Sequence, residues 1–244
     1  MKRVVRLLAV IAAATSALGG TAVAQEQPDL AQASVAPAAQ TPNVVGAPRL
    51  SSSQPNAIRG QGLEANRVWV MGEVRNDGSS PAYNLTVTAR LLTDSGTVAG
   101  TANQAFAFLG PGDSVGYRVE VRNAAAYERA DLSIDASSSG FASFAVLPID
   151  WVKNEQVKDS RSHLRYEFSG TLGNSDGRPV SLNAVYVWFL DDQDRVVWVE
   201  RTYIPNTLAH GDSTTFSVRT PRDSENPGVS GITQVRYYAA GQLP

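Results

Sequence analysis

Cysteine is absent from the 244-residue chain, so it has neither a disulfide nor a lipoprotein acylation site. Histidine is nearly absent: His163 and His210 are the whole set. A zinc site takes three or four His, Cys or carboxylate ligands, so both histidines are read as surface residues. There is no Gly-x-Ser-x-Gly elbow, no phosphate-binding loop and no His-Glu-x-x-His. No enzyme class is therefore supported. Basic charge is not in excess, because the formal net charge is −2. A nucleic-acid partner, whose affinity comes mostly from basic patches, is not expected. Aromatic residues are missing from the first 68 positions; every one lies between Trp69 and Tyr238. The early segment is thus a poor source of core.

Long apolar runs are also missing. The longest, Leu7 to Leu18, is about a dozen residues, against the ~20 that span a bilayer. No membrane span is expected. Lys2, Arg3 and Arg6 precede this run, and Ala22-Val23-Ala24 follows it as a small-x-small cleavage site. Residues 1–24 therefore read as a signal peptide cut before Gln25, and the chain as secreted, periplasmic or at the cell surface. Removing three cations takes the net charge from −2 to −5. Residues 25–42 are rich in Ala, Gln and Pro and sustain no period, as a disordered linker does.

What remains contains an internal repeat. Val70-Met-Gly72-Glu-Val74-Arg-Asn76 aligns with Phe168-Ser-Gly170-Thr-Leu172-Gly-Asn174, an offset of 98. Asp94 and Val98 map to Asp192 and Val196 at the same offset. Leu109-Gly-Pro-Gly112-Asp-Ser114 aligns with Leu208-Ala-His-Gly211-Asp-Ser213 at 99, and Tyr117 and Val119 follow as Phe216 and Val218. Each copy alternates with the period two of half-buried strands. Val68/Val70/Gly72/Val74, Leu85/Val87/Ala89/Leu91 and Val115/Tyr117/Val119/Val121 each share a face. The second copy repeats this as Tyr166/Phe168/Leu172, Val185/Val187/Phe189 and Phe216/Val218, and the copies close on Leu132/Ile134 and Val235/Tyr237. Turn signals at Asn76-Asp-Gly, Asp94-Ser-Gly, Gly110-Pro-Gly-Asp and Asp176-Gly separate the strands. The pattern predicts an all-β chain with two tandem immunoglobulin-like β-sandwich domains, residues 43–140 and 141–244, without disulfides. With no disulfide, each must rest on its core and approach ~100 residues.

The repeated pattern resembles the FxLYD domain, a small β-sandwich module of exported and surface proteins, mainly bacterial. The resemblance rests on Gly72-Glu-Val74-Arg-Asn76 and Gly170-Thr-Leu172-Gly-Asn174. It also rests on Leu91-Leu-Thr-Asp94 and Trp188-Phe-Leu-Asp-Asp192 as relics of the naming motif, and on Leu109-Gly-Pro111-Gly112 and Leu208-Ala-His-Gly211. Both copies lose the naming tyrosine. The resemblance covers roughly residues 65 to 140 and 163 to 240. It implies a non-catalytic module, with no active-site residues and no cofactor to carry over. The sequon Asn84-Leu-Thr86 is accordingly read as a strand asparagine.

The copies differ on one face. Thr88 and Arg90 of the first become Tyr186 and Trp188 in the second, with Trp198 and Tyr203 on the next strand. Clustered rings mark a contact surface. Tyr186, Trp188, Trp198 and Tyr203 are the candidate binding residues, with packing against the first domain as the equal alternative. An exported binding or scaffold module for an envelope or extracellular protein is the leading reading. A carbohydrate-binding protein, stacking sugar on these rings, is the second. Asp191, Asp192 and Asp194 form the acidic cluster, weighed as a calcium site and favoured as a solvated hairpin turn.

Overall fold

A computed structural model describes residues 47–244. The leader, its cut after Ala24 and the linker 25–42 lie outside the described residues. Fourteen strands follow in order. The first seven are β1 Leu50–Ser52, β2 Asn56–Arg59, β3 Arg67–Asn76, β4 Ala82–Leu92, β5 Val98–Leu109, β6 Ser114–Arg122 and β7 Arg129–Ser137. The rest are β8 Phe144–Val146, β9 Ile149–Lys158, β10 Leu164–Gly173, β11 Ser181–Leu190, β12 Val196–Ile204, β13 Ser213–Arg219 and β14 Gln234–Gln242. Two 3-10 turns, Gly62–Glu64 and Pro227–Gly231, are the only helical pieces among the described residues.

All pairings are antiparallel. In sheet A, β1 and β2 follow one another along one edge of β3, and β6 runs along the other. Sheet B is β5-β4-β7; sheet C is β12-β11-β14-β8; sheet D is β13-β10-β9. Residues up to 137 build sheets A and B, and residues from 144 build C and D.

The period-two faces assemble as the alternation requires. Val68, Val70, Gly72 and Val74 stand opposite Val121, Val119, Tyr117 and Val115 across the β3–β6 ladder. Leu85, Val87, Ala89 and Leu91 of β4 are fully buried, and Leu132 and Ile134 of β7 pair with Ala89 and Val87. In the second set Phe216 stands opposite Gly170, as Tyr117 does opposite Gly72. A Cβ on Gly72 would stand 2.6 Å from Tyr117 Cζ, and one on Gly170 would stand 3.2 Å from Phe216 Cζ. The ring in each set fills the space that its glycine leaves.

Two asparagines tie the strand ends to the turns. The Asn76 side-chain amide donates to the carbonyls of Ser80 (2.8 Å) and Leu109 (3.2 Å) and accepts from the Gly78 N–H at 3.1 Å. Asn174 repeats this with Arg178 (2.9 Å), Leu208 (2.9 Å) and the Asp176 N–H at 2.9 Å. Gly112 and Gly211, both at positive φ, donate back to the Asn76 and Asn174 carbonyls at 2.8 Å. The two glycine-turn motifs noted in the sequence thus meet in space, once per repeat. Asn84 lies in β4 at φ 51, where the β4–β7 register shifts, and its amide reaches Ser137 Oγ at 3.4 Å.

Candidate binding cleft and the buried seam

The outer face of sheet A is where the two repeats first differ in chemistry. Trp69, Met71 and Glu73 of β3 occupy positions that carry Glu167, Ser169 and Thr171 in β10. Alongside, Gly116, Arg118 and Glu120 of β6 match Thr215, Ser217 and Arg219 of β13 by register. An apolar stripe on β3 must be covered. Sheet C covers it.

Trp188 reaches from β11 onto β6: a Cβ on Gly116 would lie 2.6 Å from Trp188 Cβ. The indole N–H donates to Glu73 Oε2 at 2.9 Å, and Arg236 NH1 meets the same oxygen at 2.9 Å. Tyr186 packs on Phe106 with ring centroids 5.2 Å apart. Trp198 meets Trp69 edge-on at 5.2 Å, Arg118 lies over the Trp198 ring at 4.0 Å, and Glu200 holds Arg118 at 3.1 Å. Asn56 Nδ2 donates to the Val196 carbonyl at 2.9 Å. The opposite face of sheet C lies on sheet D through Phe189 against Tyr166 (6.4 Å) and Phe168 against Tyr237 (5.7 Å). Sheet C is therefore covered on both faces.

Three of the four expected binding rings are consequently removed from solvent: Tyr186, Trp188 and Trp198 are 6%, 2% and 5% exposed. The repeats lock face to face, so these rings serve internal packing and present no coplanar platform to a ligand. Tyr203 alone stays open, at 57%, with the Arg201 guanidinium 4.9 Å from its ring. Sequence reasoning missed Trp69 and Met71, the other half of this seam. The signal was available, since the 98-residue offset sets them against Glu167 and Ser169.

Where sheets B and C meet, the seam leaves an open cleft of about 270 Å³. Its lining includes Phe108, Phe144, Ala184, Tyr186, Tyr203 and Gln242. Phe108 and Phe144 stack at 5.4 Å, and Tyr83 packs on both. Phe141, in the loop before β8, is fully exposed. Burial pushes the Tyr186 phenol up, as does neighbouring Tyr203, while Arg201 works against them. A second cleft, of about 400 Å³, lies by Trp69, Arg118 and Trp198. Its charges are already paired, Arg67 with Glu64 at 2.7 Å and with Glu120 at 3.4 Å. Of the two, the Phe108–Tyr203 cleft offers open apolar surface.

The acidic turn is internally engaged. Asp191 is buried, accepts from the Gln193 and Arg195 N–H groups at 3.0 and 2.9 Å, and meets Arg195 NH2 at 2.8 Å. Burial opposes its charge, but these hydrogen bonds prevail and hold its pKa below the ordinary carboxylate value. Asp194, at φ 57, pairs with Arg236 at 3.2 Å, and Asp192 stays in solvent. Among the described residues no three His, Asp or Glu side chains gather as a metal site would need. His163 lies 3.5 Å from Asp223, and His210 Nδ1 lies 2.8 Å from the Asp176 carbonyl oxygen. Among the described residues no helix is long and apolar enough to cross a membrane.

The fold and seam define an all-β, sandwich-type chain. No family model matches it, and no curated protein does. Among solved structures it is similar to red sea bream transglutaminase, with 12% identity and a TM-score of 0.25, covering 71% of this chain. The match spans 27% of that enzyme's length. It is also similar to the N-terminal CBM22-1-CBM22-2 tandem domain of Paenibacillus barcinonensis Xyn10C, with 11% identity, a TM-score of 0.18, and coverage of 85% and 92% of the two chains. A third is infectious bursal disease virus, Gt strain, with 9% identity, a TM-score of 0.21, and coverage of 84% and 72%.

Proposed function

We propose that this chain is an exported, non-catalytic binding or scaffold module of the FxLYD type, acting at the cell envelope or outside the cell through an aromatic cleft. The cleft between Phe108, Phe144 and Tyr203 carries the reading. It is concave, mainly apolar and open, and a soluble chain exposes such surface where something docks. The charged leader, the short apolar run and Ala22-Val-Ala24 support export. The protein partner is one that offers an apolar or aromatic anchor, since central rings dominate the energy of such contacts.

A glycan is the second reading, favoured by the exposed ring of Tyr203 beside Gln242. One open ring gives a sugar a narrow foothold.

The test compares the purified chain with a Phe144→Ser, Tyr203→Ser variant in pull-downs from envelope extract and on a glycan array. Loss of one captured protein, with thermal stability unchanged, is the expected result. Loss of a glycan signal alone favours the second reading. Equal capture by both chains overturns the cleft as the contact surface.

A further inference from the structure

We propose that β9 is a self-association edge, along which two copies of this chain pair antiparallel about a two-fold axis at Asn154. Among the described residues, β9 is the outer strand of sheet D and pairs with β10 alone. Residues 150–156 are exposed in an unbroken run, and no proline or glycine interrupts Ile149–Lys158. Edges of this length are usually blunted, because their free N–H and C=O groups template pairing.

The ladder fixes which groups point outward. Asp159 N–H donates to His163 O at 3.0 Å, so alternate residues 157, 155 and 153 turn their backbone to β10. Residues 152, 154, 156 and 158 turn theirs away. A bulge does sit in β9: Gly170 pairs with Val152 and Thr171 with Asp150, which leaves Trp151 unpaired. It lies at one end, so 152–158 stay regular and available.

The charges choose the register. With Asn154 opposite its own copy, Lys153 stands opposite Glu155, twice over. Lys153 and Glu155 already meet within one chain at 2.7 Å, so the dimer closes a ring of four alternating charges. Opposite charges across a ladder stabilise it and like charges weaken it. Shifting the axis to Glu155 sets Glu155 against itself, and shifting it to Lys153 sets Lys153 against itself. At the Asn154 axis, Val152 pairs with Gln156, and Trp151 lies at the end of the paired stretch. Trp151 is 66% exposed at φ 45, a conformation that a bulky residue pays for and that tends to persist where it is used. Pairing joins two three-stranded sheets into one of six. An edge-to-edge contact is smaller than a standard interface, so the dimer is concentration-dependent.

Sedimentation of the purified chain over a dilution series should show a species of twice the monomer mass that dissociates on dilution. Lys153→Glu alone, or Glu155→Lys alone, should weaken association roughly tenfold. The double reversal should restore it. Asn154→Pro removes an outward N–H, leaves the β10 ladder intact, and should give a monomer of unchanged thermal stability. Trp69, Trp188 and Trp198 are buried, so a blue shift of tryptophan emission with concentration reports Trp151 entering the contact. A monomer at every concentration overturns the proposal. So does a dimer indifferent to the single reversals.

Discussion

Trp188 lies so close to the backbone of Gly116 that a methyl group on that glycine would fall 2.7 Å from Trp188 Cγ. The glycine is thus the condition for the seam between sheets A and C, and its counterpart in the second repeat is a threonine.

Replacing Gly116 with Ala should force the repeats apart and lower stability, with β6 itself still able to form. Trp188→Ala should cost ~3–5 kcal/mol, the range for removing a large buried ring. Urea denaturation of both variants checks this. A single cooperative transition is expected in the parent chain, because the seam couples the repeats.

The Tyr117 hydroxyl is buried without a hydrogen-bond partner. The second repeat places Phe216 at the matching site. Tyr117→Phe should therefore be neutral or stabilising by up to ~1 kcal/mol, since an unsatisfied buried hydroxyl is lost with no partner left behind. The midpoint of chemical denaturation reads it directly.

Alkali should unfold the chain through its buried phenols. Burial raises the pKa of Tyr117, Tyr186 and Tyr238 above the ordinary 10.0. A raised value means that the fold keeps the proton while the unfolded chain gives it up. Stability is then complete below pH 10 and falls as pH rises above it. Phenolate absorbance should appear together with loss of structure. Tyr117→Phe should reduce the steepness of that decline.

The two asparagine knots should be costly to break. Asn76→Ala or Asn174→Ala strands two carbonyls and one N–H, so each should lose ~2–4 kcal/mol. Thermal melts would show comparable losses, given the matching bonds in the two repeats.

Period-two alternation makes the strand faces readable in the sequence alone, because one buried face forces it. The seam was half readable. Tyr186 and Trp188 stood out against Thr88 and Arg90, yet whether they met a ligand or the other repeat depended on what lay opposite. Unbroken apolar runs answered that in principle: Val68 to Met71 and Val185 to Leu190 are buried throughout, as strands covered on both faces are. The facing of β12 was not readable, since a bulge between Phe189 and Leu190 shifts its register. Nor was the bulge at Trp151, which no glycine or proline announces. The Phe108–Tyr203 cleft arises only when sheets from distant parts of the chain meet.

The outer faces also set the length of the array. Sheet B presents Thr86, Thr88 and Arg90, where β11 presents Ala184, Tyr186 and Trp188. Sheet D presents Glu167, Ser169 and Arg219, where sheet A presents Trp69, Met71 and Glu120. A third repeat built on either pattern would find a polar wall at each end of the stack. Like the terminal units of a solenoid, these polar faces act as caps and offer no apolar stripe for another sheet to cover.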